Sequence, residues 1–130
     1  LPLTNIRDSQ SQAFDEIAMT LASAGSHLSR FTTEGKHIPP QLHDAIVQLG
    51  DRYRADQHDK PDSENRELIK ELGLFDYLAD RFAVAGSVDD CTEKIDKAIE
   101  AGARQFWMSI HFDDKEAFLR KWGAVIKVYR

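Results

Sequence analysis

The sequence predicts an α/β fold dominated by helices, with two short parallel strands in its C-terminal part. Three observations carry that expectation. An apolar run at residues 82–85 stops at Gly86 and gives way to a helix start, Ser87-Val88-Asp89-Asp90. A helical segment over 88–101 then ends at Gly102, and a second apolar run follows at 104–110. Asp113 opens a last amphipathic helix, so the order is strand, helix, strand, helix, the unit from which parallel sheets and barrels are built. Residues 1–81 accordingly read as a mainly helical segment and residues 82–130 as the strand-helix-strand-helix unit.

In the first segment each helix is marked by its start and stop. Ser9 or Ser11 is placed to cap a helix whose Phe14, Ile17, Ala18, Leu21 and Ala22 share one face, with Gly25 as its stop. A polar stretch over 26–36 reads as loop. Pro39 and Pro40 suit the first turn of a second helix, in which Leu42, Ala45, Ile46, Leu49 and Tyr53 recur at helical spacing. Residues 54–62 are too polar for a core and read as an exposed connection. Ser63 opens a third helix through Leu68, Ile69 and Leu72, broken at Gly73, and a shorter apolar piece at 74–78 leads into the first strand. Two strands alone leave apolar surface that a parallel sheet covers on both faces. Partner surface is therefore expected, from further chain or from a second subunit.

Composition narrows the function. Lys and Arg total 17 against 22 Asp and Glu, a net charge of −5, and no basic cluster interleaved with aromatics marks a phosphate-backbone surface. Nucleic acid is not an expected partner. No apolar run approaches the roughly 18 residues that cross a bilayer, and the first residues lack the layout of a signal peptide, so the expected setting is cytoplasmic with no membrane partner. The single cysteine, Cys91, excludes an internal disulfide, and its acidic neighbours Asp89, Asp90 and Glu93 disfavour a thiolate, so it reads as structural or merely tolerated and not as a nucleophile. His37 and His43 are not at i, i+4 spacing, and His27, His58 and Asp59 fall in different loops, so no metal site is expected.

Four pieces, in order, resemble one known family. They are Leu78-Ala79-Asp80-Arg81-Phe82-Ala83-Val84-Ala85-Gly86-Ser87; a helix over 95–103 ending Ala98-Ile99-Glu100-Ala101-Gly102-Ala103; Gln105-Phe106-Trp107-Met108-Ser109-Ile110; and a helix over 117–126. They are similar to the seventh strand with its Gly-Ser/Thr turn, the seventh helix with its Ala-Gly exit, the eighth strand and the closing helix of the bacterial-luciferase-like superfamily. Its members are flavin- or deazaflavin-dependent oxidoreductases built on a TIM barrel. The usual Pro after the Gly-Ser/Thr pair is Val88 here. The resemblance spans residues 75–126 and implies the C-terminal portion of a (β/α)8 barrel, which in full takes about 250 residues. It further implies FMN or a deazaflavin coenzyme, a small-molecule organic substrate, and the remainder of the barrel or a second subunit as partner. The 130-residue chain alone is then expected to be inactive.

In such barrels the site lies at the C-terminal ends of the strands, and loops after the last two often hold phosphate groups. That makes Gly86 and Ser87 the candidate cofactor-binding pair, through close backbone approach, a hydroxyl and the free N–H groups of the helix behind. The plainer reading has Gly86 making the turn and Ser87 capping the helix, worth about 1 kcal/mol. Asp89 and Asp90 favour it, since they complement the helix dipole and repel an anion. His111, directly after the second strand, and Ser109 within it are the candidate substrate-pocket residues, because imidazole can donate, accept or shuttle a proton near neutral pH. The plainer reading leaves His111 on the surface, with Asp113 and Asp114 capping the last helix. Trp107 and Ser109 alternate with Met108 and Ile110, and the sequence leaves open which set faces inward. No residue is assigned as catalyst. The leading expectation is thus the C-terminal part of a flavin- or deazaflavin-dependent monooxygenase or related oxidoreductase. The competing one is a non-enzymatic, mainly helical interaction or oligomerisation domain, using the stripe Phe118, Trp122, Val125, Ile126 and Tyr129 of the last helix.

Overall fold

Two four-residue strands, β1 (Leu3–Ile6) and β2 (Ala83–Gly86), pair in parallel, with Leu3 opposite Ala83 and Ile6 opposite Gly86. The computed structural model describes every residue except Leu1, Asp59, Pro61, Ser109, His111 and Asp113. The described residues also form α1 (Gln10–Glu16), α2 (Ala18–Ser26), α3 (His43–Arg52), α4 (Glu64–Glu71), α5 (Phe75–Phe82), α6 (Val88–Glu100) and α7 (Lys115–Val128). The fold is α/β, dominated by helices, with two short parallel strands, as the sequence predicts. One of those strands is not the expected one.

The run at 104–110 carries no strand in its described residues, and residues 104–108 make no backbone–backbone hydrogen bond among the described residues. The place beside β2 is taken by β1, which the sequence conceals: it is four residues long and includes Asn5, a poor strand former. A strand exists only where a neighbour supplies a ladder, and pattern within a run does not reveal the neighbour. Two smaller corrections have similar causes. The apolar piece at 74–78 is the beginning of α5, and Phe82 ends that helix instead of starting the strand. Gly25 lies inside α2, whose last residue is Ser26.

Contacts group Leu1–Ile17 with Ala83–Arg130 in one unit and gather Ala18–Phe82 in a second. The first unit is a three-layer arrangement around the strand pair. In-register partners of a parallel pair share a face, so Thr4, Ile6 and Val84 look one way and Asn5 and Ala85 the other. The first face meets α6 and α7 in a core of Ile6, Val84, Cys91, Ile95, Phe118, Trp122 and Val125. Phe118 bridges Phe112 and Trp122, with ring centroids 5.9 and 6.2 Å away. The second face meets α1, where the buried Asn5 amide donates to Ala13 O at 3.1 Å. All four β2 residues are buried, the expected state of a parallel strand covered on both faces.

The helix boundaries of this unit follow from local chemistry. Ser9 caps α1, its Oγ accepting from Gln12 N, and Asp114 caps α7 by accepting from Ala117 N at 2.8 Å. The α6 helix ends in a Schellman motif: Gly102, at φ +101°, donates to Ile99 O, and Ala103 donates to Ala98 O.

In the second unit α2 packs against α3, α4 and α5, burying Leu21, Ile46, Leu49, Ile69, Leu74 and Leu78 completely. Ser63 caps α4 as its sequence position predicts. The connection at 54–58 is exposed, as expected, and is pinned by a buried side chain from α4. Asn65 accepts from Arg54 N and donates to Arg54 O, each at 2.9 Å, so one amide replaces both halves of a backbone bridge.

Candidate functional site

Ligands of parallel sheets bind beyond the carboxyl ends of the strands, and here both strands end together, at Ile6 and Gly86. Arg7 N donates to Gly86 O at 2.9 Å and extends the ladder one residue further. The site is therefore built from the two turns that follow, one into α1 and one into α6.

The turn after β2 is closed by Asp90. Gly86 adopts φ +132°, and a Cβ there would lie 2.6 Å from Asp90 Oδ2, so only glycine fits on both counts. Ser87 N and Ser87 Oγ both donate to Asp90 Oδ2 at 2.8 Å, while Ser87 Oγ accepts from Asp90 N at 3.1 Å. This reciprocal capping box uses the hydroxyl and the first free N–H of the helix. A phosphate approaching Gly86 and Ser87 would face the Asp90 carboxylate where it needs donors, so the pair as built does not suit a flavin phosphate.

The turn after β1 holds a denser polar network, centred on Glu16. Its Oε1 accepts from Arg7 Nε at 3.0 Å and Gln12 Nε2 at 3.2 Å, and its Oε2 accepts from Asn5 Nδ2 at 2.9 Å and pairs with Arg7 Nη2 at 2.6 Å. Burial pushes the Glu16 carboxyl up, but the hydrogen bonds from Asn5 and Arg7, the Arg7 charge and the Gln12 amide outweigh it, leaving the pKa below the usual carboxylate value. With four donors on it, Glu16 is held as a carboxylate and acts as a lock on the strand end, not as a general base. Arg7 Nη1 also donates to Ile6 O at 2.8 Å, and its guanidinium lies 5.6 Å from the Phe112 ring centroid. Lys121 Nζ reaches the same Ile6 carbonyl at 3.4 Å. Small clefts of about 380 and 110 Å3 border Arg7 and Lys121.

Of the residues singled out from sequence, Gly86 and Ser87 stand at this strand end, while Ser109 and His111 lie outside the described residues. Sequence reasoning missed Asn5, Arg7 and Glu16. The signal for them was present: Leu3-Thr4-Asn5-Ile6 followed by Ser9 as a helix cap repeats, in miniature, the apolar run, turn and cap of residues 82–87. Cys91 is buried, and burial followed by the nearby Asp90 charge pushes its thiol up to about 12, so it stays protonated and unreactive. Among the described residues no group of three or more His, Cys, Asp or Glu side chains is placed to hold a metal ion. No helix among them is long and apolar enough to cross a membrane. No protein-family model, curated protein or solved structure matches the chain.

Proposed function

We propose that this chain is the C-terminal part of a luciferase-like flavin- or deazaflavin-dependent oxidoreductase or monooxygenase, in which it contributes to the barrel wall and lines the substrate pocket. The supporting observation is the β2–Gly86–Ser87–α6 unit, a buried parallel strand that runs through a glycine turn into a capped helix and is paired along one edge among the described residues. The free edges of β1 and β2 are where further strands of a parallel wall would add. In that wall α6 and α7 would lie outside, and the face carrying Asn5 and Ala85, which α1 covers here, would look inward.

A bound reduced flavin or deazaflavin would supply the hydride or the oxygen-activating electrons. The residues of this chain would close the wall, exclude water and, through His111 and Ser109, contact a small organic substrate. The Gly86–Ser87 turn, capped by Asp90, would shape the backbone and leave the cofactor's phosphate to donors elsewhere.

The test is the longest gene product containing these residues, assayed for oxidation of reduced FMN and of a reduced deazaflavin. The expected outcome is turnover with one of the two, none by the 130-residue chain alone, and about a tenfold loss of kcat/KM in His111→Ala with an unchanged Tm. If that protein neither binds nor oxidises either cofactor, the reading fails. A mainly helical interaction domain is the second reading; of its expected stripe Phe118, Trp122 and Val125 are buried in the core, and what favours it is the exposed Leu119, Ile126, Val128 and Tyr129.

A further inference from the structure

The first unit contains an apolar groove on the α6/α7 side of the strand pair, away from the Glu16 network. Its volume is about 500 Å3, within the range of small-molecule sites. Val84 of β2, Ile95 and Ile99 of α6, Trp122 of α7, and Phe106 and Met108 of the unpaired segment supply its walls. Ile99 and Met108 are 37% and 36% exposed, so the groove leaves large apolar side chains partly in water. Removing such surface is favourable by about 25 cal/mol per Å2. A ligand with an apolar body gains that energy wherever the protein itself does not.

The charge in the lining has one sign. Among the described residues no carboxylate side chain lines the groove, and the charged side chains that do are the exposed Arg104 and Arg130. That stands out in a chain whose net charge is −5. Arg104 Nη1 donates to Ala103 O at 3.1 Å and Ile99 O at 3.4 Å, which moors the side chain at the end of α6. No salt bridge or further hydrogen bond occupies its Nε and Nη2 among the described residues. Those two donors form the edge of a guanidinium that takes a carboxylate bidentately. Tyr129, also in the lining, turns its hydroxyl to Thr92 O at 3.2 Å and to Asp96 Oδ1 at 2.9 Å, so the acid on the neighbouring turn of α6 already has a partner.

We propose that this groove is a binding site for a small apolar carboxylate, with an aryl or alkyl body against Ile99, Phe106, Met108 and Trp122 and its carboxylate on the free edge of Arg104. The site does not depend on the oxidoreductase reading, because it lies on the opposite face from the one that would look into a barrel.

Trp122 reports on the groove once the exposed Trp107 is replaced, so the experiment uses the Trp107→Phe chain and follows Trp122 fluorescence during titration with 4-phenylbutyrate. The neutral 4-phenylbutanol is the control. The expected result is saturable binding of the carboxylate with a Kd of about 100 µM or tighter, and binding of the alcohol about tenfold weaker. Arg104→Gln, an exposed change whose folding is checked by its melting curve, should weaken the carboxylate about tenfold and leave the alcohol unchanged. Ile99→Glu, also at a partly exposed position, should abolish binding of the carboxylate. Absence of saturation up to about 5 mM, equal affinity for the two compounds, or an Arg104→Gln variant that binds as before would each overturn the proposal.

Discussion

Asp90 and Glu16 show what a single carboxylate does at a strand end. Asp90 accepts from Ser87 twice and is bonded back through its own N–H, so the turn and the helix start are one hydrogen-bonded unit. Ser87→Ala should therefore destabilise the fold by about 1 kcal/mol, read as a shift in the urea midpoint with an unchanged slope. A larger loss would mean that the hydroxyl does more than cap. Glu16 carries a pH dependence. Its folded pKa lies below the unfolded value, so its contribution is complete above the ordinary carboxylate range and is lost as pH falls through the folded value. Acid unfolding of Glu16→Gln should accordingly show a shallower dependence on pH below about 4.5 than the parent chain, a difference that melting curves across that range would register.

Among the elements, α2 illustrates a residue whose type was legible and whose purpose was not. A glycine at position 25 suggests a helix stop, yet a Cβ there would lie 2.7 Å from Leu78 Cδ1 and 2.9 Å from Leu49 Cδ2. Glycine is present because α3 and α5 press against this turn of α2. Gly25→Val should cost about 1–3 kcal/mol through overpacking, despite removing a flexible residue from a helix, whereas a stop glycine at an open helix end would resist substitution through its backbone conformation. Thermal melts of Gly25→Val check this, and an unchanged Tm would show that Leu49 and Leu78 make room for the added side chain. By contrast Ser9, Ser63 and Ser87 cap the helices that their positions predict, because a cap is a matter of a few adjacent residues.

For the whole molecule the consequential fact is that β2 finds its partner some 80 residues upstream along the chain, at Leu3–Ile6. The unit containing α6 and α7 is thus discontinuous in sequence, while residues 18–82 are consecutive. Removing residues 1–6 takes away the ladder of β2 together with Ile6 and the Asn5 amide that Glu16 accepts from. The near-UV signal of Trp122 should then collapse while the helical signal of the 18–82 unit persists. Persistence of both signals would show that α6 and α7 hold β2 without its ladder. The oxidoreductase proposal also belongs to this scale, since it requires further strands along the edges that are open among the described residues.

What the sequence determined by itself is local: an α/β chain rich in helices, the serine caps, the ends of α4 and α6, the strand ahead of Gly86, and a cysteine whose acidic neighbours disfavour a thiolate. Each depends on residues within a turn or two, where propensity, capping and helical spacing act. The tertiary structure alone decided which runs pair, which face of the pair meets which helix, and what stands at the strand ends. Arg104 to Met108 has the composition of a strand and lacks a ladder among the described residues, whereas Leu3–Ile6 has little signal and a complete one. Likewise Ser87 was visible as a cap or a ligand, and only the position of the Asp90 carboxylate showed its hydroxyl already engaged. Pairing and charge placement are relations between distant residues, and a linear pattern contains them only after the chain has folded.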